Sequence, residues 1–348
     1  MSSRILQEDL TGIIERIDTQ ALKGQSIFVT GATGLVGSMV VKALALANET
    51  KDLGIQLYPL IRSEEKARTI FGALLEREDV HLVKGDVTEE LQIAEDIDYI
   101  VHGASVTASK TMVEKPVETI DIALSGTKNM LELARKKNVK GMVYLSSMEA
   151  FGVTDPSLAE VREKDLGYVD ITNVRSCYPE GKRMCELLCV CYSSEYQVPV
   201  KIARLAQTFG AGVPDTDNRV FAQFARSAIN GEDIVLHTAG ESYGNYCYTA
   251  DCVAGILTIL LKGENGEAYT VANPRTSIKI KDMAAMVAEN FSGGRSKVVF
   301  DIPEGNKFGY APDVTMHLNS EKLQALGWEP AVDLKDMYAR LIASFTEA

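Results

Sequence analysis

The chain has 348 residues, 46% of them hydrophobic and 24% charged, which suits one large domain and a smaller lobe around a sizeable core. A formal net charge of −12 argues against nucleic acid as a partner, because a phosphate backbone calls for a basic face. No apolar run reaches the ~20 residues of a membrane-spanning helix, and the acid-bearing opening MSSRILQEDLTGIIERID has no signal-peptide core, so a cytoplasmic protein without a membrane partner is expected.

In chain order, Ile5, Leu6, Leu10, Ile13, Ile14, Ile17 and Leu22 fall at helical spacing and predict a helix over 5–22, within an N-terminal extension of residues 1–23. The apolar strand Ser26–Thr30 runs into a glycine-rich turn. Further strands are expected at 55–61, 80–84, 97–102, 141–146 and 198–205, with helices at 35–47, 63–77, 116–137 and 180–196 in the gaps. Strands alternating with helices predict an α/β fold, a doubly wound parallel sheet over residues 24–205. Beyond Gly210, Gly212 and Pro214 the pattern loosens. Short strands at 234–238, 246–249 and 267–271 mix with helices at 218–229, 251–262, 279–291 and 335–346. This predicts a smaller, mixed C-terminal lobe over 206–348, joined in part by 151–176. Cys185, Cys189 and Cys191 share a helical stretch with no histidine near them in sequence, and no metal site is expected.

The first sharp motif is Thr30-Gly31-Ala32-Thr33-Gly34-Leu35-Val36-Gly37, between a strand and a helix. Gly31 permits a tight turn, Gly34 a close backbone approach, and Gly37 close packing of helix on sheet. The N–H groups at the helix N-terminus then face an anion, the arrangement that holds a dinucleotide pyrophosphate. Lys84-Gly-Asp86-Val87 and Val101-His102-Gly103-Ala104-Ser105 stand at later strand ends. With these segments, the G-x-x-G-x-x-G spacing resembles the short-chain dehydrogenase/reductase superfamily, in its extended branch of sugar-nucleotide enzymes. The resemblance implies a Rossmann fold and an NAD or NADP cofactor contacting Gly31, Thr33, Gly34, Leu35, Val36, Gly37, Asp86, Val87, Gly103, Ala104 and Ser105. Asp86 can equally cap a turn with Thr88. The second strand ends without an acid, and Arg62 there suits a 2′-phosphate, a slight lean to NADP, although the related sugar-nucleotide enzymes mostly use NAD.

The second sharp motif is Tyr178-Pro-Glu-Gly-Lys182, which sets Tyr and Lys on one helix face, with Ser176 as a candidate cap. A phenol has a pKa near 10, and a nearby ammonium favours its ionised form, so Tyr178 can take a proton from a sugar hydroxyl. Lys182 would also hold the nicotinamide ribose. Ser146-Ser147-Met148-Glu149-Ala150-Phe151-Gly152 resembles the family's S/T-x-x-V-Y-G segment, which makes Ser147 the hydroxyl donor to the reacting oxygen. Glu149 stands where decarboxylases and dehydratases of the branch carry a general acid or base. Met148 replaces the dehydratase Asp, so dehydration is disfavoured.

The resemblance runs over roughly 24–345 and includes Leu326-Gly-Trp-Glu-Pro330. Arg175-Ser-Cys-Tyr178-Pro-Glu-Gly-Lys182-Arg183 is nearest to the UDP-glucuronate decarboxylase and dTDP-glucose dehydratase branch. The substrate side departs: Gln207 and Asn245 stand at family binding positions, the usual diphosphate arginines are missing, and Arg219, Arg226 and Arg275 are the candidate replacements. The implied reaction is transient C4 oxidation of a nucleotide-activated sugar, decarboxylase- or epimerase-like. An NADPH-dependent ketosugar reductase and a non-catalytic dinucleotide-binding protein are the alternatives. A homodimer through helices 116–137 and 180–196 is implied, with Met184, Leu187, Leu188 and Tyr192 on the shared face.

Overall fold

The computed structural model describes residues 4–303 and 314–347. Helix α1 (Arg4–Arg16) buries Asp9, Leu10, Ile13 and Ile14 on one face. It ends before Ile17 rather than reaching residue 22, because Asp18 caps a separate 3-10 turn over Thr19–Leu22 by accepting from Ala21 N. β1 (Ser26–Thr30), α2 (Leu35–Lys51) and β2 (Gln56–Ile61) follow. α3 (Glu64–Phe71) is shorter than the expected 63–77, since Gly72 leaves the helix at φ +50° and a 3-10 turn takes over. β3 (Val83–Lys84), β4 (Tyr99–His102) and an unexpected short helix α4 (Ser109–Glu114) come next. α5 (Pro116–Lys137) has Pro at its first turn and Asn138 in the left-handed region at its end, start and stop signals that match the sequence.

β5 (Gly141–Ser147), α6 (Cys177–Tyr196) and β6 (Val200–Leu205) extend the sheet. The remainder comprises β7 (Gln207–Phe209), α7 (Val220–Asn230), β8 (Ile234–Leu236), β9 (Tyr243–Gly244), β10 (Tyr246–Tyr248) and α8 (Thr249–Lys262). After these come β11 (Ala268–Val271), β12 (Ile278–Lys279), α9 (Ile280–Phe291), β13 (Val298–Phe300), α10 (Glu321–Gln324) and α11 (Leu334–Thr346).

Seven strands form one parallel sheet in the order β11-β6-β5-β4-β1-β2-β3. The order reverses between β1 and β4, and the crevice at the carboxyl ends of those strands is where such sheets take a ligand. One face buries α1, α2 and α8 against Ile27, Val29 and Val143; the other buries α5 and α6 against Phe28, Ile100 and Met142. The strand expected at 267–271 does not stay in the smaller lobe. As β11 it returns to the main sheet beside β6, pairing Ala268 with Ile202 and Val271 with Leu205. Three two-stranded pairs, β7/β10, β8/β13 and β9/β12, lie outside that sheet with α7, α9 and α11, in the region expected as the smaller lobe. Part of the 151–176 segment is tied to it: Val161 N donates to His317 O at 2.7 Å, and Asn319 N to Val161 O at 2.9 Å.

Candidate active site

The glycine turn sits at the crevice. Gly31 has φ +67°, and a Cβ there would stand 2.6 Å from the backbone of Gly103 on the neighbouring strand end. A Cβ on Gly37 would stand 2.3 Å from Gly31 O, so both glycines are required for α2 to close on the turn. Gly34 caps α2 with no side-chain hydrogen bond, which leaves the first-turn N–H groups pointing outward. Thr33, Leu35 and Val36 line the same turn half-exposed, and Ala104 N lies against Gly31 from β4's end, followed by a half-buried Ser105. A bare backbone cradle at an uncapped helix N-terminus fits a dinucleotide pyrophosphate.

The cradle has a rigid floor. Thr30 Oγ1 lies 2.7 Å from His102 Nδ1 and accepts from Ala104 N at 3.1 Å. On the other side of the ring, His102 Nε2 lies 3.3 Å from Thr127 Oγ1. Burial, with the Lys182 charge second, holds His102 down to about 3, so the ring is neutral. Val87 packs on Gly126 of α5, and its carbonyl accepts from Asn129 Nδ2 at 2.9 Å. Asp86 forms the turn with Thr88 that its spacing allows. Its Oδ1 accepts from Thr88 N and Thr88 Oγ1, while its Oδ2 is 3.6 Å from Arg62 Nη1. Burial pushes Asp86 up, but these hydrogen bonds and Arg62 outweigh it and the carboxyl stays below its usual range.

Ser147, Tyr178 and Lys182 converge where β5 ends and α6 begins. The Ser147 hydroxyl accepts from Glu149 N at 3.2 Å and acts on the Tyr178 phenol to favour its ionised form. Lys182 is buried, donates from Nζ to Leu145 O at 2.8 Å, and stands 5.6 Å from the centroid of the Tyr178 ring. Burial pulls Lys182 down to about 8 against the opposing pull of Cys185 and Glu186. Burial and Glu149 push Tyr178 up to about 12, with Ser147 and Arg175 acting the other way. Ser176 does not cap α6 as expected: it has helical dihedrals, and its hydroxyl donates instead to Asp170 O at 2.6 Å. Glu149 is ion-paired to Arg175, Nη2 to carboxylate at 2.9 Å, and Arg175 lies over the Tyr178 ring. The sequence reading gave Arg175 no role.

Behind Ser147, the adjacent Ser146 hydroxyl donates to Glu186 at 2.5 Å, and Arg204 pairs with the same carboxylate through Nε and Nη2. Arg204 Nη1 donates to Glu163 O at 2.6 Å, and its guanidinium covers the Phe151 ring. One buried ion pair thus fixes β5, α6, β6 and the 151–176 segment around the Ser–Tyr–Lys group.

The expected substrate residues do not gather at one point. Gln207 is exposed on β7. Arg219 is clamped by Asp217, with Nε and Nη2 both on that carboxylate. Asn245 is buried, with Nδ2 on Met316 O at 2.7 Å and Oδ1 accepting from Leu318 N at 3.0 Å. Those bonds occupy its amide in holding the 316–318 segment. Pro312 and Asp313, a position where related enzymes often carry a phosphate ligand, lie outside the described residues.

Known proteins share this chain's sequence pattern and fold. UDP-glucuronic acid decarboxylase 6 of Arabidopsis thaliana is 30% identical over 311 residues, covering 89% of this chain and 85% of that protein. UDP-glucuronic acid decarboxylase 1 of Xenopus tropicalis is 28% identical over 92% of this chain and 72% of its own. Among solved structures, an epimerase of Methanothermobacter thermautotrophicus superposes with a TM-score of 0.79 at 22% identity, covering 99% of this chain and 96% of that one. The UDP-glucuronic acid 4-epimerase of Bacillus cereus, solved with UDP-glucuronic acid and NAD, superposes at 0.76 with 18% identity, over 93% and 99% of the two chains. Residues 27–272 match the family described as NAD dependent epimerase/dehydratase, a span that holds the glycine turn, Ser147, Tyr178, Lys182 and β11; this chain belongs to that family.

Proposed function

We propose that this chain is an NAD-dependent enzyme that oxidises the C4 hydroxyl of a nucleotide-linked hexuronate and releases its carboxyl group as CO2. The convergence of Ser147, Tyr178 and Lys182 beside the bare glycine turn carries the reading. The cofactor would lie on Gly31, Thr33, Gly34, Leu35, Val36 and Gly37, with Asp86 and Val87 near the adenine and Gly103, Ala104 and Ser105 along its length. A 2′-phosphate beside Arg62 would also meet the Asp86 carboxylate, so NAD is the proposed form. When bound, NAD supplies a hydride acceptor at the C4 carbon.

Tyr178 takes the C4 hydroxyl proton as the carbon is oxidised, and Ser147 holds the same oxygen by a hydrogen bond. Lys182, anchored on Leu145 O, keeps a positive charge near the phenol and would hold the nicotinamide ribose. A C4 ketone stands β to the C6 carboxylate, which makes loss of CO2 possible without a metal ion; the electron pair passes to the ketone as an enolate. Glu149, beside Tyr178, is the proposed group that relays a proton from solvent to the resulting carbon, and Tyr178 returns its proton to the C4 oxygen as C4 is reduced again, so that CO2 is the net loss. The Asp217-clamped Arg219 and the exposed Gln207 are the proposed contacts to the nucleotide end, and residues 206–348 without α8 and β11 form the proposed substrate lobe.

A homodimer is part of the reading. Val117 and Ile120 on α5 and Met184, Leu187 and Val190 on α6 are exposed apolar side chains on neighbouring helices. Leu188 is half-buried and Tyr192 is buried, donating to Glu132, so Tyr192 belongs to the core rather than to that face. Cys247 and Cys252, buried as neighbouring thiols, suit the reducing cytoplasm. Incubation with UDP-glucuronic acid and NAD, followed by mass analysis, tests the activity: a product lighter by CO2, absent with Tyr178→Phe, is expected. An NAD-loaded protein that leaves UDP-glucuronic acid unchanged would overturn it.

A further inference from the structure

We propose that Arg175 is an electrostatic positioning residue for Tyr178, the second of two cations that flank the phenol, and that it works against Glu149, which it also holds in place. Arg175 Cζ and Lys182 Nζ each stand 5.6 Å from the Tyr178 ring centroid. Lys182 comes from one turn further along α6, and Arg175 from the 3-10 turn Val174–Ser176 that precedes it. Asn173 fixes that turn by accepting from Arg175 N at 2.9 Å, and Ser176 pins it to Asp170 O.

The guanidinium is not explained by its ion pair alone. Nη2 donates to Glu149, but Nη1 is buried and has no hydrogen-bond partner among the described residues. Desolvating a charged nitrogen without an acceptor is unfavourable. The ring face of a tyrosine offsets part of that cost, and the negative charge of a phenolate offsets more. A pair made only for Glu149 would gain by leaving Nη1 in water.

The titratable and charged groups around the phenol are Ser147 and Tyr144 from β5, Glu149 from the turn after it, Arg175, and Lys182 on α6. Glu149 makes the phenol harder to ionise and Arg175 makes it easier. Two surface turns thus adjust one proton affinity from opposite sides, and linking them by an ion pair keeps their charges in a fixed ratio beside the ring. This inference rests on Tyr178 as the base.

The test is an NMR titration of NAD-loaded protein labelled with carbon-13 at the tyrosine Cζ, with the Tyr178 signal identified by its loss in Tyr178→Phe. Arg175→Met is expected to move the Tyr178 titration up by about one pH unit and Glu149→Gln to move it down by a similar amount. Arg175→Lys, which keeps the charge, is expected to stay nearer to the unmodified protein than Arg175→Met does. Arg175→Gln is the second uncharged variant and must shift upward too if Arg175→Met does not fold. Shifts of the same sign in the Glu149 and uncharged Arg175 variants, or no shift, overturn the proposal, because a purely structural pair predicts no opposition. Turnover of UDP-glucuronic acid separates this from the reading beneath it. A Tyr178→Phe variant that still turns over removes the base and this inference together; an inactive one with no opposed shifts removes only the role of Arg175.

Discussion

Replacing Arg204 with methionine should expose how much of the active-site frame hangs on one buried ion pair. The Arg204 and Glu186 side chains are only 6% and 9% exposed. Arg204→Met removes the 3.0 and 2.7 Å bonds to Glu186 and the 2.6 Å bond to Glu163 O, leaving a buried carboxylate whose remaining hydrogen bond is from Ser146. Breaking one side of such a pair costs about 3–5 kcal/mol. At an unfolding entropy of about 2.1 cal/mol/K per residue, a chain of this length has about 0.7 kcal/mol/K, so the melting temperature should fall by about 4–7 °C. Adding Glu186→Leu removes the orphaned charge and should restore more than half of the loss, because two apolar groups replace two ions. Thermal denaturation of both variants checks this. A single variant within about 1 °C of the unmodified protein, or a double variant no more stable than the single one, would refute the reasoning.

Other variants probe separate features. Gly37→Ala places a Cβ 2.3 Å from Gly31 O, with backbone on both sides, so the turn must open; calorimetry should show at least about tenfold weaker NAD binding with the circular dichroism unchanged. Asp9, hydrogen-bonded by Tyr248 and paired with Arg340, is raised from 3.8 to about 6 chiefly by burial. A folded-state value above the unfolded one means that ionisation penalises the fold. The penalty is full above pH 6 and is relieved as pH falls toward 4, with a ceiling of about 3 kcal/mol. The stability of Asp9→Asn relative to the unmodified protein should therefore improve as pH rises across that window; a urea-midpoint difference that stays constant with pH would count against it. Leu187→Glu with Val190→Lys should shift the proposed dimer to monomer in light scattering, since both side chains are exposed on α6. An unchanged mass would show that this face is not the contact.

Much of the sheet was legible because its signals are local. Pro116 and Asn138 mark the two ends of α5, and the glycines at 31, 34 and 37 mark the turn by needs that are steric and near in sequence. Tyr178 and Lys182 were legible for the same reason, as one turn of one helix. What depended on distant partners was not. The return of β11 to β6 is set by backbone pairing across more than sixty residues, and no side chain in 267–271 announces it. Asn245 has the polarity of a ligand contact, yet its amide is committed to Met316 and Leu318, a choice made by the tertiary fold. Arg175 stood within a quoted motif, but only the folded turn shows its guanidinium over the phenol.

The placement of β11 bears on how the polypeptide matures on the ribosome. β6 is complete at Leu205, but its outer hydrogen-bonding edge has no partner until Val271 has been synthesised, after β7, α7, β8, β9, β10 and α8. An unpaired edge on a half-made parallel sheet invites pairing with other chains. A fragment ending near 205 would carry every residue of the glycine turn and the Ser–Tyr–Lys group and still expose that edge. Such fragments should precipitate rather than persist as a free dinucleotide-binding unit, whereas those continuing past 271 can seal the sheet.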